Sequence, residues 1–143
     1  RYLTQTFTDM TNVKKINLTG WKLKPTVMPQ MFANCTHLES IDLRGFDVTN
    51  VQTFSTMFSR TLALTSLDIS NWNPMNVTNM NTMFYNNIKL DGLDMSNFVF
   101  GYSTTINANA FAGIKSGAIV YVKNQDIKER ILAINSNLDV RIK

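Results

Sequence analysis

The chain repeats itself every 25 to 27 residues, and this period constrains its fold more than any other feature. The stretch from Phe54 to Val77, FSTMFSRTLALTSLDISNWNPMNV, is one copy of the unit. Each copy opens on a Met-Phe or similar pair, continues into a short L-x-x-L-x-L segment and ends on an aromatic residue. Met57-Phe58 leads to Leu64, Leu67, Ile69 and Trp72; Met31-Phe32 leads to Leu38, Ile41, Leu43 and Phe46; Met83-Phe84 leads to Leu90, Leu93, Met95 and Phe98. Two degenerate copies flank these, one from Phe7 to Trp21 and one from Phe111 to Val122. One such unit cannot bury its apolar face alone, whereas stacked units can, so a fixed period in this range predicts a solenoid.

Length and composition set outer limits. A chain of 143 residues is long enough for one domain with a sizeable core. No apolar run approaches the roughly 20 residues needed to cross a bilayer. The chain opens at Arg1 inside what reads as a repeat, so a fragment of a longer protein is expected, with more repeats or another domain upstream. Cys35 is the single cysteine, which leaves no internal disulfide and no cysteine metal site. It matches Thr61 and Asn87 in neighbouring copies and reads as a small, half-buried turn residue. The net charge of +4 is concentrated at the two ends while the middle is acidic, so no continuous basic stripe faces a phosphate backbone and nucleic acid is not an expected partner.

Within each copy the L-x-L positions predict strands of four to six residues with alternate side chains inward, the first from Lys14 to Thr19. Asn-rich corners follow, such as Asp47-Val48-Thr49-Asn50, whose side chains bond their own backbone. Val77, Met80, Met83 and Phe84 lie at helical spacing and predict about two helical turns, repeated from Val51 to Phe58. From Asn124 the period stops. Ile127, Ile131 and Ile134 fall on one face of a helix over 126–134, and Leu138, Val140 and Ile142 alternate as a strand. The expected organisation is a repeat region over 1–123 and a helix-strand cap over 124–143.

The units MFANCTHLESIDLRGFDVTNV, MFSRTLALTSLDISNWNPMNVTNM and MFYNNIKLDGLDMSNF resemble the bacterial surface-protein repeat of the BspA-like leucine-rich-repeat group. The resemblance covers residues 3 to 123, with the ending similar to the cap of such arrays. It implies an α/β repeat solenoid: a leucine-rich-repeat-like right-handed superhelix with a parallel sheet, short helical turns and a C-terminal helix-strand cap. It also implies a bacterial cell-surface, extracellular location in a lipoprotein or wall-anchored protein, and attachment to a protein, extracellular-matrix or glycan ligand. No catalytic residue and no cofactor carries over, and the expected function is a non-enzymatic binding or adhesion module. A passive structural spacer is the alternative, and a calcium-dependent carbohydrate-active solenoid a third reading.

Candidate site residues follow from what repeats and what varies. Asp42, Asp68 and Asp94 recur at one outward strand position, which a parallel stack would set roughly 4.8 Å apart. Carboxylates at that spacing need a cation or hydrogen-bond donors between them. A calcium site is one reading; bonds from Arg44, Ser70, Ser96 or backbone donors are the favoured one. The exposed strand positions that vary are better placed for recognition, and Lys15, Asn17, Arg44, Tyr121 and Lys123 are the candidate ligand face. Phe100 and Tyr102, aromatics on an irregular connection, are candidate loop contacts that would otherwise fold back beside the cap. His37 has no nucleophile placed beside it by the repeat, and the methionines at 28, 31, 57, 80 and 83 read as core filling. Lys22 and Lys24 beside Trp21 read as a solvated positive edge, and Asn17, Asn34 and Asn76 stand in N-x-T sequons.

Overall fold

The computed structural model describes residues 2–143. It is an α/β fold in which every strand pairing is parallel. Strands β1 (Lys15–Asn17), β2 (Ser40–Asp42), β3 (Ser66–Asp68), β4 (Gly92–Asp94) and β5 (Ile119–Val122) come one from each repeat unit, followed by helix α1 (Gln125–Ile134) and strand β6 (Asp139–Ile142). The pairing is in register: Ile16 lies opposite Ile41, Leu67 opposite Leu93, Leu93 opposite Val120, and Val120 opposite Val140. β1–β4 are three residues each, shorter than the sequence pattern suggests, and they form two sheets, β1-β2 and β3-β4-β5-β6. With so few bonds per strand, losing one or two is enough to end a pairing.

A second ladder spans that break. Parallel bridges connect Tyr2 to Val27, Val27 to Thr53, Thr53 to Asn79 and Asn79 to Thr105, joining all five units. Beside it the N–H groups of Gln30, Phe32 and Asn34 donate to the carbonyls of Ser55, Met57 and Ser59, each at 2.9 Å. The two units on either side of the sheet break are thus tied together elsewhere.

This ladder also explains why the helical turns expected over 51–58 and 77–84 do not form. Along 56–61 the donors alternate. Thr56, Phe58 and Arg60 give their N–H to the next unit, while Met57, Ser59 and Thr61 bond three residues back. Such a chain cannot also make the four-residue bonds of an α-helix. Thr56 and Arg60 adopt positive φ (59° and 60°) as the third residues of turns closed by Met57 and Thr61; in the next unit Thr82 repeats the first, in a turn closed by Met83, and Asn86 shares the positive φ of the second. A non-glycine residue in that region costs on the order of 1–2 kcal/mol; the bonds from unit to unit offset it. The apolar spacing fits a helix and a run of turns equally well, because both return to the core about every third residue.

The core consists of columns. Leu43, Ile69 and Met95 share one apolar cluster and are at most 2 % exposed. Phe7, Phe32, Phe58, Phe84 and Phe111 form an aromatic spine with ring centroids 5.3–5.9 Å apart. Met28, Met31, Met57, Met80 and Met83 are fully buried between these columns. Cys35 is fully buried rather than half-buried, its thiol donating to the Phe7 carbonyl, and burial holds its pKa above the ordinary thiol value. In the next two units the equivalent Thr61 and Asn87 bond each other at 3.0 Å, also buried.

At the far end the period gives way to a cover. Asn124 caps α1 by accepting from Ile127 N–H at 3.0 Å, and Ile127 and Ile131 turn into the core. Ile134 is only partly buried. Asn135 ends the helix and donates its side-chain amide to the Phe111 carbonyl, tying the cap to the end of the spine. Leu138, just ahead of β6, and Val140 within it are buried, whereas Ile142, expected inward, is half exposed at the end of the strand.

Candidate functional site

The outward side chains of the strands make the most structured surface of the molecule. Strand register aligns Asn17 with Asp42, Asp68 with Asp94, and Asp94 with Tyr121 and then Arg141. Each carboxylate in this line has the same local duty: it accepts the backbone N–H two residues on. Asp42 Oδ1 takes Arg44 N–H at 3.2 Å, Asp68 Oδ1 takes Ser70 N–H at 2.9 Å and Asp94 Oδ1 takes Ser96 N–H at 3.0 Å. Asn17 does the same toward Thr19 at 3.0 Å. The recurrent Asp therefore terminates the strand and turns the chain, which is the favoured sequence reading.

The second oxygens are treated differently. Arg44 folds back on Asp42 with Nη2 2.6 Å from Oδ2, and this hydrogen bond holds the Asp42 carboxyl below its usual range. Lys143, from the chain end, reaches Asp94 Oδ2 at 2.6 Å while lying 4.9 Å from the centre of the Tyr121 ring. No cation pairs with Asp68 among the described residues. Nor do three His, Cys, Asp or Glu side chains gather there into a group able to hold a metal ion. Of the oxygens that the calcium reading of Asp42, Asp68 and Asp94 calls on, those of Asp42 and Asp94 are engaged by Arg44, Lys143 and backbone donors, and Asp68 Oδ1 by Ser70 N–H.

Two hollows adjoin at Asp68. One, of about 230 Å³, is lined by Ser66, Asp68, Gly92, Asp94 and Tyr121 over a floor of Leu67 and Leu93. The other, of about 250 Å³, lies at the break between β2 and β3 against Ile41, Asp42 and Arg44. Gly92 keeps the first hollow open, for a Cβ there meets no atom within 4 Å.

The candidate residues are only partly brought together. Arg44 and Tyr121 border these hollows. Lys15 and Asn17 belong to the β1 end of the face, in the other sheet, and Lys123 is exposed just beyond β5. Phe100 is not a surface contact. It is buried against Phe98, with the Arg130 guanidinium 4.8 Å over its ring. Arg130 also donates to the Gly101 and Thr104 carbonyls at 3.1 and 3.3 Å, so the irregular connection is clamped to α1. Tyr102 is 87 % exposed, and its bond to the Asp126 carboxylate raises the phenol above its ordinary pKa. Sequence reasoning missed Arg130, Lys143 and Arg141, which lie outside the repeat; an Arg on a helix otherwise devoted to the cap was the available signal.

A family model described as "Mycoplasma protein of unknown function, DUF285" matches residues 1–118. The chain belongs to this family. The DUF285 match takes in β1–β4 and ends one residue before β5, so Tyr121 of the first hollow, α1, β6 and Lys143 lie outside it. No curated protein and no solved structure matches. No helix among the described residues is long and apolar enough to cross a membrane.

The Lys143–Asp94 contact gives a direct test of this electrostatic layout. Burial pushes Asp94 upward, but the bonds from Lys143 and Ser96 outweigh it and leave the carboxyl below its usual value. A depressed carboxyl pKa contributes stability that is present above the unfolded value, about 3.9, and is lost as pH falls through the folded one. Lys143→Met removes the largest lowering contribution. The Asp94 carboxyl, followed by carbon NMR, is expected to titrate at higher pH, and the variant to lose stability at neutral pH but not in acid. An unmoved Asp94 titration would show that Lys143 is not its partner in solution.

Proposed function

We propose that the side-by-side units are the rungs of a right-handed, leucine-rich-repeat-like solenoid, and that the chain is a non-enzymatic binding module of a bacterial cell-surface protein of the BspA-like kind. The observation that carries this reading is the contrast between the two sides of the strands. Inward positions keep one chemistry from unit to unit, as in Leu43, Ile69 and Met95. Outward positions change, from Ser66 to Gly92 to Ile119 in one line and from Asp94 to Tyr121 to Arg141 in the other. They enclose hollows where the inward side is filled. Side chains repeated in every rung serve the rung, and varied ones suit a contact surface. The fold by itself does not prescribe a function; location and attachment rest on the resemblance.

The test is attachment of the purified chain to immobilised fibronectin, laminin and collagen and to epithelial monolayers. Gly92→Trp places bulk at the hollow beside Tyr121, from a position where an added Cβ meets no atom within 4 Å, while Gln52→Trp places the same bulk at an exposed site off the strands. Attachment reduced at least tenfold by Gly92→Trp and kept by Gln52→Trp is the expected result. No attachment by the unaltered chain would favour the spacer, and equal attachment by both variants would remove the strand face from the reading.

A further inference from the structure

We propose that the hollow between Asp68 and Tyr121 receives a lysine side chain from a protein partner. The inference rests on the binding reading above and names what the strand face recognises. Its first ground is charge. Three carboxylates stand in line at Asp42, Asp68 and Asp94, and the chain supplies two cations to them, Arg44 at one end and Lys143 at the other. Among the described residues Asp68, between the two pairs, accepts a single backbone bond from Ser70 and forms no ion pair. Arg44 and Lys143 attract Asp68 only from beyond ion-pair distance, so it is the one carboxylate of the line with no cation in contact among the described residues.

The second ground is shape. At about 230 Å³ the hollow is smaller than the 300–1,000 Å³ of pockets that enclose whole small molecules, and it suits one side chain. Leu67, Leu93, Gly92 and the Tyr121 ring give it an apolar floor and walls, and Ser66, the Asp68 carboxylate and the Lys143-paired Asp94 complete the lining. A four-carbon stem ending in an ammonium matches that order, the stem covering apolar surface and the charge meeting the acid. Gly92 is the only unit position in this line without a side chain among Ser40, Ser66 and Ile119, so the opening is specific to the β3–β4 step.

The experiment is a titration of the ¹⁵N-labelled chain with blocked Gly-Gly-Lys-Gly-Gly, with its norleucine counterpart and with calcium chloride. The lysine peptide is expected to shift the amides of Ser66, Asp68, Gly92 and Tyr121 with weak affinity, as suits one exposed pair. Asp68→Asn should weaken it about three- to tenfold. That variant keeps the local turn, because Asn17 makes the same bond in the first unit. Equal shifts from the norleucine peptide, unchanged affinity in Asp68→Asn, or calcium saturating the same amides and displacing the lysine peptide would each overturn the proposal. If the peptide fails while Gly92→Trp still abolishes attachment, lysine recognition falls and the binding reading stands.

Discussion

Replacing Phe58 by alanine is expected to destabilise the protein by roughly 3–5 kcal/mol, the range for deleting a fully buried phenylalanine ring. Phe58 stands mid-spine, with Phe32 on one side at 5.6 Å and Phe84 on the other at 5.9 Å, and the Trp72 ring lies beside it at 6.4 Å. The surrounding turns cannot collapse into the space. Their N–H groups are fixed to the next unit at Met83 and Tyr85, so the backbone holds the cavity open. Phe7, at the first unit, has a spine neighbour on one side only and is partly exposed, so Phe7→Ala should cost clearly less. Urea midpoints of the two variants measure the difference, with a thermal shift on the order of 10 °C for Phe58→Ala. Equal losses at the two positions would mean that the rings do not act as a column.

The columns were legible in the sequence because burial leaves a periodic record: an inward position that faces apolar neighbours in one unit faces them in every unit. Leu43, Ile69 and Met95 could therefore be placed together from spacing alone. The backbone between them was not legible in the same way. Met80, Met83 and Phe84 would face inward from a helix or from turns, and nothing in residue type distinguishes Thr56 or Arg60 at positive φ from a helical residue, since threonine and arginine are not residues that favour that region. Glycine marks the equivalent of Asn86 only in the last unit, at Gly113. That each Asp of the line bonds the residue two further on was legible because a side chain repeated in every unit serves the unit and a serine or arginine stands there each time. What distinguishes its three members was hidden, for Lys143 meets Asp94 across 49 residues and outside the repeat. Of the two readings open for Phe100, loop contact or folding back beside the cap, the structure shows the second, and spacing could not decide between them because the Arg130 that covers it arrives from α1. Periodic contacts can be inferred from the period; contacts between the repeat and its cap have no such rule.

The junction between the first two units has the most exacting backbone contact, and Gly45→Ala is expected to lose about 3 kcal/mol there, at the upper end for overpacking by a single methyl. A Cβ on Gly45 would lie 2.7 Å from the Trp21 carbonyl oxygen and 2.8 Å from those of Leu18 and Thr19. Side-chain motion cannot relieve a clash with main-chain atoms. Nor can the carbonyls move without cost, because Leu18 O accepts Trp21 N–H and Trp21 O accepts Leu23 N–H, each at 2.9 Å. The sequence supplies the reason for the crowding: paired residues here are 25 apart, as in Gln5 and Gln30, against 26 or 27 further along, so the shorter connection draws the first turn onto the second unit. At the equivalent place in later units Asn71 and Asn97 carry side chains, which the longer spacing admits. Gly20→Ala and Gly92→Ala serve as references, since a Cβ at either meets nothing within 4 Å; both should change stability by no more than about 1 kcal/mol, in the stabilising direction if the backbone suits alanine. Urea midpoints for the three variants decide the matter. A Gly45→Ala protein as stable as Gly92→Ala would show that the first two units do not approach as closely as the register of β1 with β2 requires.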